Sequence, residues 1–281
     1  MNLFNIISEI EKIDPEFNDK LNPRRTAIKN ITSFGSKVTL AAMPFALGTM
    51  LKRAYAADNS APGVIEVLNF ALTLEYLEWS FYNQATGNGA LIPGDTLPYF
   101  TTIRDDENKH VLFLQSVISI FGGTPVTSPK FDFSGGSGSF TGPFADVFSN
   151  YDTFLKVALT FEDTGVRAYN GQASNLLNNK DILTAVLAIH AVEARHASAV
   201  RQVLKISPWI TSTATLGNDT GISLVNANYQ GEENVIQGGF DVTKLPALSG
   251  STTNIAVATA AFDEPLSMGQ VQNLIKIFIA P

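Results

Sequence analysis

The chain contains three histidines, His110, His190 and His196, and two of them share one setting. Glu107-Asn108-Lys109-His110 and Glu193-Ala194-Arg195-His196 each place a glutamate three residues ahead of a histidine. On a helix, residues three apart share a face, so each pair can bind a ligand from one side. Ahead of each pair stands a matching segment: Ala71-Leu72-Thr73-Leu74-Glu75 before the first, Ala158-Leu159-Thr160-Phe161-Glu162 before the second. Seven residues beyond each of these glutamates comes a tyrosine, Tyr82 and Tyr169, followed by asparagine. The separations Glu75 to Glu107 and Glu162 to Glu193 differ by a single residue. A lone Glu-x-x-His usually marks a solvated helix face, but two copies with matched partner glutamates form a repeat whose signals agree.

Glu75 falls on the apolar stripe of Leu68, Ala71, Leu72 and Tyr82, and Glu162 on that of Leu155, Ala158, Leu159 and Tyr169, so both are expected to point inward. Four carboxylates facing a core cannot all stay ionised unaided, because burial and mutual repulsion penalise their charges. A pair of divalent cations removes the conflict. The chain has no cysteine, which excludes disulfides, thiolate clusters and cysteine nucleophiles, so any metal must use oxygen and imidazole. With 26 acidic against 19 basic side chains the net charge is -7, and no basic surplus exists for a nucleic-acid partner.

The elements that must position these residues are legible from apolar periodicity. It predicts helices over 64–85, 98–121, 151–177 and 181–204. Gly122-Gly123 and Pro125 stop the second. Residues 122–149, with Ser134-Gly135-Gly136-Ser137-Gly138-Ser139, form a long crossover too poor in helix formers to be a core element. Only Asn178-Asn179-Lys180 separate the last two helices, which makes them antiparallel neighbours. The predicted fold is an all-α four-helix bundle of two hairpins joined by a long crossover. Residues 206–281 are richer in Thr, Gly, Asn and Val. They read as an irregular extension packing on the bundle, with a last helix over 265–279 that starts on Pro265 after Asp263 and Glu264.

Residues 1–59 read as an export segment. Arg24-Arg25-Thr26-Ala27-Ile28-Lys29 resembles a twin-arginine signal, an apolar run spans 38–51, and Ala54-Tyr55-Ala56 offers a small-x-small cleavage site. The bland alternative is a retained amphipathic helix with Leu3, Phe4, Ile7, Ile10 and Phe17 on one face. The expected organisation is thus export signal 1–59, bundle 60–205 and extension 206–281. Localisation would be exported, periplasmic or in the cell envelope, with membrane contact only in transit.

Over roughly 62–205, the doubled glutamate and Glu-x-x-His pattern resembles the ferritin-like superfamily, which includes bacterioferritins, rubrerythrins and manganese catalases. The resemblance implies that Glu75, Glu107, His110, Glu162, Glu193 and His196 are direct ligands of two iron ions, with manganese as the alternative. Glu107 and Glu193 would bridge the ions, His110 accompanying Glu75 and His196 accompanying Glu162. Tyr82 and Tyr169 match a tyrosine that hydrogen-bonds a ligand or supplies an electron, and Asp106 resembles an aspartate orienting a histidine of the opposite hairpin. The implied chemistry is redox turnover of dioxygen or peroxide, of ferroxidase, oxidase or catalase type, in a possible homo-oligomer. The leader and extension differ from cage-forming ferritins and resemble exported members related to desiccation-associated proteins. A competing expectation is therefore a structural or stress-protective envelope protein that keeps its metal without turnover; an interaction module built on 206–281 is a third. His190, Glu78 and Trp79 are left out of the site: Glu78 is expected to pair with an arginine such as Arg167, and Trp79 to pack. Lys109 and Arg195 are expected to be exposed or snorkelling charges.

Overall fold

A computed structural model describes residues 61–211, 219–245 and 254–281. The predicted export segment lies outside the described residues. Four long helices form the bundle: α1 Ala61–Gly87, α2 Leu97–Ile120, α3 Tyr151–Ala173 and α4 Lys180–Val203. α1 packs chiefly along α2 and α3 along α4, so the two expected hairpins form and then dock on each other. Among the described residues no helix is long and apolar enough to cross a membrane.

Local chemistry sets the helix ends. Asn150 caps α3 by accepting from the backbone N–H groups of Asp152 and Thr153, and Asn179 caps α4 by accepting from Ile182. At the end of α2, Gly122 adopts φ 78° while its N–H bonds Ser119 O and that of Gly123 bonds Ile118 O. This left-handed cap satisfies two otherwise orphaned carbonyls, and a glycine enters it without steric cost. The predicted third helix stops four residues early: its last turn tightens into a 3-10 segment, Ser174–Leu176, before the Asn179 cap.

The crossover does return along the bundle. Asn69 holds its beginning, donating to Thr124 O and accepting from Val126 N, and Asn88 holds its end by donating to Phe148 O. At 1.5 Å per helical residue those anchors lie about 28 Å apart along α1. Contrary to the sequence expectation, this segment enters the core, with Phe133, Phe144 and Val147 buried. Asp132 organises its glycine-rich part: the carboxylate accepts from Ser134 N and Oγ and from the N–H groups of Gly138 and Phe140. Burial would raise the Asp132 pKa, but these donors outweigh it and hold it below the ordinary 3.8.

The extension is irregular, as expected, and contains a 3-10 segment Ser223–Tyr229 and a two-stranded hairpin, β1 Ile236–Gln237 with β2 Phe240–Asp241, turned by Gly238 and Gly239. Two short helices follow, α5 Ile255–Thr259 and α6 Met268–Ile275. α6 starts later than Pro265 because Ser267 and Gln270 form a capping box, while the N–H of Leu266 is committed to Arg167 O on α3. The backbone there lies so close to α3 that a Cβ on Gly171 would meet Leu266 O at 1.9 Å.

Two buried arginines latch the extension and the end of α4 onto α3. Arg167 donates to Glu264 O at 2.7 Å, Gln230 O at 2.6 Å and Asn228 O, and pairs with Glu232 at 2.8 Å. Arg201 pairs with Asp163 at 2.5 Å and Asp219 at 2.7 Å, and Tyr229 donates to Asp163 at 2.7 Å. α3 is therefore buried on both sides, between bundle and extension.

The apolar core divides into two clusters. One gathers Phe81, Phe100, Phe154 and Val200, the other Leu68, Leu114, Ile182 and Val186. Along all four helices the repeated glutamates and histidines fall between them.

Two measurements check this packing. Chemical denaturation of Arg201→Met should show a loss of about 3–5 kcal/mol, because buried Asp163 is left without its cation. For Asp132→Asn, stability should fall below the parent's at neutral pH. A depressed aspartate pKa stabilises above the unfolded value of 3.8 and stops doing so as pH falls through the folded value, so the gap between the two proteins should close below pH 3.8.

Candidate metal centre

The repeated residues arrive at one layer midway along the bundle: Glu75 from α1, Glu107 and His110 from α2, Glu162 from α3, Glu193 and His196 from α4. The four glutamates are fully buried, and the histidines are 9% and 6% exposed. Their donor atoms form two overlapping groups, Glu75, Glu107, His110 and Glu193 in one, Glu107, Glu162, Glu193 and His196 in the other, each within 4.8 Å. Glu107 and Glu193 belong to both.

Distances show how the atoms converge. His110 Nδ1 lies 3.0 Å from Glu107 Oε2, 3.1 Å from Glu75 Oε2 and 3.5 Å from Glu193 Oε1. One ring nitrogen cannot donate to three oxygens from three helices at once. His196 Nδ1 is 2.7 Å from Glu107 Oε1 and 3.7 Å from Glu162 Oε2, yet neither His196 Nδ1 nor Glu107 Oε1 makes an aligned hydrogen bond. Glu162 Oε2 and both oxygens of Glu193 are likewise buried without a hydrogen-bond partner. Buried polar atoms left so are costly, unless their lone pairs serve a cation. Ligands at right angles around a metal at about 2.1 Å stand about 3 Å apart, which is the spacing of the shortest contacts here. The donors therefore fit divalent metal: hard carboxylate oxygens with imidazole, and no thiolate.

The electrostatics of the metal-free cluster point the same way. Burial lifts the Glu75 carboxyl to about 7 and that of Glu162 to about 8, and burial with repulsion from Glu107 pushes Glu193 well above the usual range. Glu107 behaves oppositely: burial would raise it, but contacts with His110 and His196 hold it at about 2. Burial would lower the two imidazoles, yet the surrounding glutamates hold His110 at about 10 and His196 at about 9. Protons thus do the charge balancing that metal cations are suited to take over.

The two tyrosines cross between hairpins. Tyr82 on α1 donates to Glu162 Oε1 on α3 at 2.5 Å, and Tyr169 on α3 donates to Glu75 Oε1 on α1. Each occupies one oxygen of a glutamate and leaves the other facing the histidine. Rings of Phe100 and Phe154 lie against Tyr82, keeping that phenol dry. Asp106 reaches across to His196 Nε2 at 3.5 Å, long for a hydrogen bond, while its other oxygen holds Lys109 at 2.8 Å. Lys109 is exposed, as expected. His190 enters neither group.

Glu78 is the residue the sequence reading passed over. It is 2% exposed, and it makes no pair with Arg167, which is committed to Glu232 and three carbonyls. Burial, and then the charges of Glu107, Glu162 and Glu75, push its carboxyl well above the usual range. The signal was available: Glu78 follows Glu75 by three residues, on the same helical face.

The ferritin-like domain family matches this chain over residues 63–205. No curated protein matches it.

A chelator test follows from the donor geometry. Added divalent cation at about 100 times its dissociation constant should stabilise the fold by about 2.7 kcal/mol, read as a higher thermal midpoint. Excess chelator should abolish the gain, and a Glu107→Ala, Glu193→Ala variant should show none.

Proposed function

The chain belongs to the ferritin-like domain family, and from that premise we propose that it binds two iron ions and uses them in redox chemistry toward dioxygen or peroxide. The observation that carries this reading is the sharing of Glu107 and Glu193 by two donor groups that each contain one histidine and one further glutamate. A single structural metal needs one such group; two fused groups suit a pair of ions acting together. Manganese is served by the same donors, and iron is chosen because the proposed chemistry is electron transfer.

In this reading Glu107 and Glu193, which belong to both donor groups, would help to hold both ions. Glu75 and His110 would hold one with them, Glu162 and His196 the other. Iron held there would supply one-electron redox chemistry. The protein supplies orientation, dryness and hydrogen bonds. Tyr82 and Tyr169 fix which oxygen of Glu162 and of Glu75 faces inward, because the phenol holds the other oxygen. Each phenol's O–H points at its glutamate, so a proton leaving the phenol would have that carboxylate as its acceptor. The two apolar clusters on either side of the layer keep bulk water from the buried carboxylates and imidazoles. Asp106 steadies the His196 ring from the rim.

The reading extends to where the protein works. The Arg24-Arg25 motif and the small-x-small site support export to the periplasm or cell envelope.

The test is anaerobic ferrous loading followed by mixing with oxygen or peroxide, with consumption of each oxidant recorded after mixing. The parent should consume one of the two oxidants in step with ferrous oxidation, and the Glu107→Ala, Glu193→Ala variant should lose this by at least about a hundredfold, as outright loss of metal affinity implies. Tyr82→Phe should bind metal with little change but turn over more slowly. Metal bound in the parent at two per chain without any oxidant consumption would leave a purely structural centre and overturn the redox reading.

A further inference from the structure

Within the twofold repeat that builds the centre, one unequal position falls on the helical face that carries the glutamates. Aligning Ala71–Glu75 with Ala158–Glu162 sets Glu78 on α1 against Gly165 on α3, so one half carries a carboxylate where the other carries no side chain. The structure shows what the missing side chain is for. A Cβ built on Gly165 would stand 3.1 Å from Glu78 Oε1 and 2.9 Å from Glu193 Oε2. The carboxylates of Glu78 and Glu193 thus crowd around one point on α3, which only a glycine leaves open.

Glu78 has no conventional reason to be there. It is 2% exposed, its Oε2 has no hydrogen-bond partner, and among the described residues no lysine or arginine pairs with it. A buried carboxylate held for packing or fold stability normally has such partners. The Glu193 carboxylate beside it is equally without hydrogen bonds. Two neighbouring buried carboxylates with oxygens left free of hydrogen bonds are a place for positive charge.

We propose that Glu78 is a further carboxylate donor of the metal centre, admitted beside Glu193 by the absent side chain of Gly165. It stands next to the two tight donor groups and within neither. A donor held in reserve would make the two ends of the centre unequal, one side having a seventh protein residue to draw on. This inference rests on the reading of the two donor groups as a metal centre.

Manganese(II) titration, followed by the electron paramagnetic resonance of the free ion, tests it in the parent, Glu78→Gln and Gly165→Ala, with thermal midpoints recorded with and without the ion. The parent should bind two ions. Glu78→Gln should keep the helical spectrum and a metal-free midpoint no lower than the parent's, while one of the two ions binds about 10–100-fold more weakly. Gly165→Ala should also bind manganese more weakly, even though alanine is the better helix former, because its methyl displaces both carboxylates. Glu78→Gln binding both ions as the parent does would overturn the inference and leave the centre standing. A lower metal-free midpoint with unchanged affinity would also overturn it, marking a structural residue. A parent that binds no manganese would overturn the centre itself and this inference with it.

Discussion

Five glutamates, Glu75, Glu78, Glu107, Glu162 and Glu193, lie buried in one layer of a helical bundle beside two imidazoles and two phenols. Each ionised carboxylate without a partner in a dry interior opposes folding. In the metal-free chain the conflict is eased by protons: four of the five carboxyls are raised, and both histidines are held charged by Glu107 and its neighbours. Cations offset it more completely, because the same lone pairs that lack hydrogen bonds can be shared with them.

The remaining architecture serves that layer. Two apolar clusters close it off along the bundle axis, and the tyrosines tie the hairpins together across it, each from one hairpin to the glutamate of the other. α3 bears the largest share of the work. Its inner face presents Glu162, Gly165 and Tyr169 to the centre, while Asp163, Thr164 and Arg167 on its other side bind the extension. The irregular C-terminal segment is therefore tied to a helix that carries a donor, through buried Arg167 on α3 itself and Arg201 on α4. The crossover adds to this by threading Phe133 and Phe144 into the core alongside the C-terminal turn at Phe278.

The sequence shows the centre more clearly than the periphery, for physical reasons. Glu75, Glu107, His110, Glu162, Glu193 and His196 were legible because helical spacing is rigid: a three-residue offset fixes a face, and the repeat tests it twice. Tyr82 and Tyr169 followed from the same repeat. Glu78 was missed because a glutamate flanking an apolar stripe reads as the partner of an arginine on another helix, and only tertiary packing shows that Arg167 is occupied elsewhere. The crossover's part in the core was not legible either, since its glycines and serines hide phenylalanines whose burial depends on long-range contacts. The late start of α6 depends on the commitment of Leu266 N to Arg167 O, a bond between residues nearly a hundred positions apart. The Arg24-Arg25 segment remains a reading of the sequence, outside the described residues.

The central claim is that two metal ions share Glu107 and Glu193. Anomalous diffraction at the manganese edge, on crystals grown with manganese(II), measures this directly. Two peaks about 3.5–4 Å apart, as in two-metal sites generally, are expected inside the bundle, one beside His110 and one beside His196. A single peak, or peaks confined to surface carboxylates with the buried layer empty, would contradict it.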